Sequence, residues 1–157
     1  MDEITKTAYR LLLNAIDEFY KRDAILAIRG GMEQACVFRI AYYFQTLVNK
    51  CKKLKDYHVD CEYNKHLDDK KINFKTGTFV RPDLILHIRG KQNNILVIEF
   101  KSKNNKNDND RAKLEMFTKN NLYNYKLGIF IRLLNTKEDC VDNMVFYENG
   151  QQTQFNN

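Results

Sequence analysis

Apolar residues recur at three- and four-residue steps near the start of the chain: Ile4, Ala8, Leu11, Leu12, Ala15, Ile16 and Phe19. That period predicts an amphipathic helix over 3–28. Arg29-Gly30-Gly31 interrupts it, because consecutive glycines disfavour a helix. The spacing resumes in Cys36, Ile40, Tyr43, Phe44 and Leu47, which predicts a second helix over 32–50. Tyr42 and Tyr43 read as packing residues of that helix.

Further on, the period shortens. Tyr57, Val59, Cys61 and Tyr63 alternate with His58, Asp60 and Glu62, the two-residue repeat of a half-buried strand. The mostly polar stretch 65–80 reads as a loop or a short added strand. Segments 82–88 and 94–101 read as the strands of a hairpin joined by 89–93. Asp108 or Asp110 can cap a helix running to about 120, with Ala112, Leu114, Met116 and Phe117 as its apolar positions. The near-continuous apolar run 126–134 predicts an interior strand buried on both faces. An edge strand over 143–148 and a frayed Gln/Asn-rich end complete the chain. The order predicts an α/β fold, with a mixed central sheet flanked by helices, in a single domain over 1–157.

Composition narrows the class. A hydrophobic fraction of 43% beside 29% charged residues is that of a soluble globular chain. One proline and six glycines argue against long disordered linkers and a turn-rich sandwich. The net charge of +6 favours acidic partners such as nucleic acid, but only where the charge clusters. Lys and Asn are abundant throughout, as a biased base composition would also produce. Cys36, Cys51, Cys61 and Cys140 form no Cys-x-x-Cys pair, and His58, His66 and His87 complete no zinc spacing. Free thiols in a reducing cytoplasm are expected, with no secretory signal and no segment able to span a membrane.

The candidate chemistry lies in the hairpin. Alternation puts Asp83, Ile85 and His87 on one strand face, and Ile95, Val97, Glu99 and Lys101 on one face of the next. If Ile88 pairs with Asn94, Asp83 falls opposite Glu99, with Lys101 one step along. Two adjacent carboxylates repel, so one takes up a proton or a cation joins them. Mg²⁺ or Mn²⁺ fits an all-oxygen set that keeps waters. Lys101 beside it could orient or deprotonate a water, or stabilise charge on a phosphate. Glu33 projects onto the apolar stripe of the second helix, where it is either paired, metal-binding or simply favoured by the helix dipole.

Pro82-Asp83 followed by Glu99-Phe100-Lys101 at the end of an apolar strand resembles the PD-(D/E)xK signature of restriction-endonuclease-like nucleases. The family core, αβββαβ, matches 32–134, with an extra N-terminal helix outside it. The resemblance implies a metal-dependent nuclease acting on DNA. Asp83, Glu99 and the backbone carbonyl of Phe100 would bind metal, Glu33 would join them, and Lys101 would be the catalytic base or water-positioning residue. Lys113 would be the basic residue that the following helix offers the site. Paired cuts would need two sites, hence a homodimer.

Simpler readings stand beside these. Asp83 can be a strand-start residue, and Glu99 with Lys101 a solvated charge pattern. His87 reads as a packed or surface histidine. Lys103, Lys106 and Arg111 lie in a wet run, either a plain solvated loop or a phosphate-contacting one. A module of the same fold that binds nucleic acid or a protein partner without catalysis is the rival functional expectation.

Overall fold

The computed structural model describes residues 1–66, 69–73, 76–106 and 110–154. Asp108, one of the two expected caps, lies outside them, as do the side chains of His66 and Asp69. Helix α1 spans Glu3–Arg29 and α2 spans Glu33–Lys50. Asp2 starts α1 by accepting a 2.8 Å bond from Thr5 N–H, which satisfies a donor the helix itself leaves open. Gly30 ends it at φ 70°, and a Cβ there would sit 2.8 Å from Asn104 Nδ2. The missing side chain therefore serves both the left-handed turn and a close approach by the loop at 103–106.

Among the described residues, the strands are β1 His58–Cys61, β2 Lys65–His66, β3 Asp69–Lys70, β4 Leu84–His87, β5 Asn94–Ser102, β6 Leu127–Leu133, β7 Val145–Glu148 and β8 Gln151–Thr153. The remaining helices are α3 Asp110–Thr118 and α4 Lys137–Asp142. Six strands make one mixed sheet in the order β1-β4-β5-β6-β7-β8, and β2 and β3 form a separate hairpin. Neighbours are antiparallel except β5 and β6, which run parallel because α3 crosses over between them. The expected interior strand is β6, flanked on both sides by β5 and β7.

The sheet has two packed faces. Leu84, Leu86, Leu96, Ile98, Phe100 and Ile131 face α1 and α2. Ile85, Val97, Phe130 and Tyr147 face Leu114 and Phe117 of α3. Gly128 lets α3 close on β6: a Cβ there would lie 3.0 Å from Thr118 Cγ2 and 3.3 Å from Tyr147 Cβ.

Several expectations need correcting. The pairs Leu84↔Ile98, Ile85↔Val97 and Leu86↔Leu96 follow the expected register, but His87, not Ile88, pairs with Asn94. A bulge at Ile95 absorbs the extra residue and turns that side chain to the α1/α2 face, away from Val97. Ala112 is exposed, and the buried stripe of α3 is Asp110, Leu114, Phe117 and Thr118. Tyr43 packs, with its hydroxyl donating to Asp23 Oδ2 at 2.6 Å, but Tyr42 is 56% exposed. Hydrophobic periodicity marks neither helix α4 nor strand β8, and β8 orders part of the Gln/Asn-rich end expected to fray. The signal for α4 was present, since Thr136 caps it by accepting from Asp139 N–H at 3.1 Å.

Candidate functional site

Strand β5 outruns its neighbour. The last β4 pair at this end is Leu84↔Ile98, so Phe100 and Ser102 extend beyond it. Two carboxylates occupy the edge that β4 vacates. Asp83 Oδ2 accepts from Phe100 N–H at 2.7 Å, and Glu33 Oε2 accepts from Ser102 N–H at 2.7 Å. Each replaces a ladder bond that would otherwise be lost. Glu33 thus bonds to β5 from the first turn of α2, rather than resting on the helix dipole alone.

Glu99 lies on the α3 side of β5 and is fully buried. Its Oε2 is 3.4 Å from Lys113 Nζ, while Oε1 is buried without a hydrogen-bond partner. Burial, then the negative charge of Asp83, pushes the Glu99 carboxyl well above its ordinary range. Burial also raises Asp83, against the pull of Phe100 N–H. The two acids therefore resist ionising together.

Two lysines and a further acid complete the cluster. Lys101 Nζ contacts Asp110 Oδ2 and is 3.7 Å from Glu33 Oε1. Lys113 Nζ is 2.5 Å from Asp110 Oδ1. Burial alone would lower both ammoniums. Asp110 and Glu33 outweigh it at Lys101, and Glu99 and Asp110 outweigh it at Lys113, so both are raised. Asp110, opposed by burial but hydrogen-bonded by Lys101 and Lys113, is lowered. Glu33, Lys101, Asp110, Lys113 and Glu99 form a chain of alternating acidic and basic side chains. With Asp83, the set holds four carboxyl groups against two amines, which disfavours having every acid ionised.

The structure thus brings together Glu33, Asp83, Glu99, Lys101 and Lys113. It adds Asp110, which sequence reasoning treated only as a cap. Its signal was an acid three residues before Lys113 on a helix, a spacing that puts both on one side. The other basic candidates are placed differently. Lys103 donates to the carbonyl of Ile28 and, at 2.8 Å, to Asn135 Oδ1. Arg111 lies over the Phe130 ring, 5.1 Å from its centroid, and Lys106 is exposed. His87 is buried 2.8 Å from Asp60 Oδ2, which also pairs with Arg89, so it packs outside this cluster.

A cleft of about 280 Å³ opens beside the site, lined by Glu33, Gln34, Val37, Phe38, Cys61, Glu62 and Asp83. Among the described residues, no three His, Cys, Asp or Glu side chains stand together as a ready-made metal cage, and no helix is long and apolar enough to cross a membrane. No protein-family model matches the chain, and no curated protein matches it.

Proposed function

We propose that this chain is a metal-dependent nuclease hydrolysing DNA phosphodiester bonds, built on the restriction-endonuclease-like core it resembles. The sequence of α2, β1, β4, β5, α3 and β6 supports that reading, with β2 and β3 as an insertion between β1 and β4. The observation that carries it is Glu99. A carboxylate with one oxygen unsatisfied, fully buried beside a second acid, is costly unless protonated or joined by a cation.

The donors fit a hard divalent ion. Mg²⁺ is held by one or two carboxylates and keeps several waters, so it needs no cage of three acidic side chains. Asp83, Glu99 and the carbonyl of Phe100 would hold Mg²⁺ or Mn²⁺, with Glu33 at the margin of the set. When bound, the ion supplies Lewis acidity toward a phosphoryl oxygen and makes a water more acidic.

The chain's own residues then have distinct parts. Lys101 is held as an ammonium by Asp110 and Glu33, so it serves as a donor and a cation rather than as the base. It would orient the attacking water or neutralise charge developing on the phosphate. Lys113 would do the same from α3. Cutting both strands would take two such sites, which a homodimer would supply.

The test is cleavage of plasmid DNA by the purified protein in Mg²⁺ or Mn²⁺. Asp83→Ala is expected to abolish it. Equal behaviour of the two proteins would sink the enzyme reading.

A further inference from the structure

The cleft beside the carboxylates is not accounted for by the hydrolytic set. Glu33 and Asp83 belong to both, so whatever enters the cleft lies next to the group being cut. Phe38, on the outer side of α2, is 64% exposed, and packing does not explain a large ring there. Tyr42, one turn further along α2 and 56% exposed, lines a separate surface hollow with Arg39 over its ring, so Phe38 is the aromatic ring of this cleft.

We propose that this cleft receives an unpaired nucleobase of the strand being cut, stacked on Phe38, and favours bases bearing an exocyclic amino group. The inference rests on the nuclease reading and names its substrate class: single-stranded or locally unpaired DNA. Three observations select this occupant. First, the residues lining the cleft include no lysine or arginine to hold a phosphate, so the backbone runs outside it, toward Lys101 and Lys113, while a neutral group enters. Second, Val37 and the Phe38 ring give a flat heterocycle apolar contact, and aromatic faces accept any base by stacking. Third, Glu33 and Asp83 each bond the β5 backbone through one carboxylate oxygen and have a second, Glu62 pairs with Arg81 at 3.1 Å through one of its two oxygens, and Gln34 adds an amide. Carboxylates accept from the amino groups of cytosine, adenine or guanine, whereas thymine shows mainly carbonyls. An intact duplex keeps its bases stacked and paired, so reaching this cleft there would cost unstacking energy.

The experiment is a fluorescence-anisotropy titration of the full chain against short oligo-deoxycytidine, oligo-thymidine and duplex DNA, with Ca²⁺ replacing the catalytic ion. Wild type is expected to bind oligo-deoxycytidine more tightly than oligo-thymidine. Phe38→Ala is expected to weaken the oligo-deoxycytidine complex about 5- to 150-fold, the worth of one lost stacking contact, and to leave the duplex complex unchanged. Phe38→Trp should restore the single-strand affinity. Phe38 is largely exposed, so thermal melting should show both variants folded. Equal losses on single strand and duplex, no loss on either, or no preference between the two homopolymers overturns the inference while plasmid cleavage still upholds the nuclease. Failure of wild type to bind or cut any DNA overturns both.

Discussion

Asp110 touches the ammonium of Lys101 with one carboxylate oxygen and lies 2.5 Å from Lys113 Nζ with the other. One buried acid on α3 thereby fixes two lysines that come from different elements. The nuclease reading makes Asp110 a positioning residue. Asp110→Asn should lower the rate of DNA cleavage roughly 10- to 100-fold, as losing a carboxylate that orients site residues does. The pH–rate profile separates this from simple unfolding. Lys101 loses its closest carboxylate, so its pKa falls and the alkaline limb of the profile should move to lower pH. An unmoved limb would show that Lys101 does not need Asp110 to stay charged.

Glu99 should destabilise the metal-free protein at neutral pH. Its carboxyl is raised above the ordinary value of about 4.5, so the folded state binds more protons than the unfolded one as pH climbs past that value. Stability is then lost as pH rises toward the folded pKa. Glu99→Gln should match wild type near pH 4 and exceed it at pH 8, by roughly 1–3 kcal/mol. For a domain of this size each kcal/mol is worth about 2–4 °C in Tm. Paired melting curves across that pH range, in chelator, provide the check, and a Tm difference that does not grow with pH would refute the account. Adding Mn²⁺ should narrow the gap by stabilising wild type alone.

Glu33 has a structural part that is independent of any metal. Its Oε2 is the acceptor for Ser102 N–H at the end of β5. Glu33→Ala should cost about 1–3 kcal/mol by leaving that donor poorly satisfied. Glu33→Gln keeps an amide oxygen and should recover most of the stability while leaving DNA cleavage impaired. Urea titrations of the two variants beside a cleavage assay distinguish the two parts.

Gly128 sets the distance between α3 and the sheet. The side chain of Gly128→Val would meet Thr118 Cγ2 and Tyr147 Cβ at contacts already as short as 3.0 and 3.3 Å. Overpacking of this kind costs about 1–3 kcal/mol. Because α3 carries Asp110 and Lys113, cleavage should fall even at temperatures where the variant remains folded. Circular dichroism melting followed by an activity assay well below the new Tm tests this, and full activity there would separate helix position from site geometry.

The sequence by itself determined the main elements and the hairpin core, but not α4 or β8. Periodicity located α1, α2, β1, β4, β5 and β6 because each has a face that must be buried. Counting residues across the turn placed Asp83 beyond Ile85 and Glu99 beyond Val97, since side chains alternate faces and most of the register holds. It also placed Lys101 next to them. Nothing local announced the bulge at Ile95, because a bulge depends on how the partner strand and turn fit together, not on the apolar pattern alone.

Only the tertiary structure decided which charges meet. Glu33 meets the Ser102 N–H 69 residues on, and Glu99 meets Lys113, because α2 and α3 both begin beside the overhang of β5. Burial then sets the behaviour of each group. The same Asp that reads as a helix cap on paper becomes a clamp when two ammoniums converge on it, and the same Glu that reads as a strand-end charge becomes one that resists ionising when water is excluded around it. Charge partners depend on distances of a few ångströms between remote segments, and desolvation depends on everything packed around them; a linear pattern encodes neither.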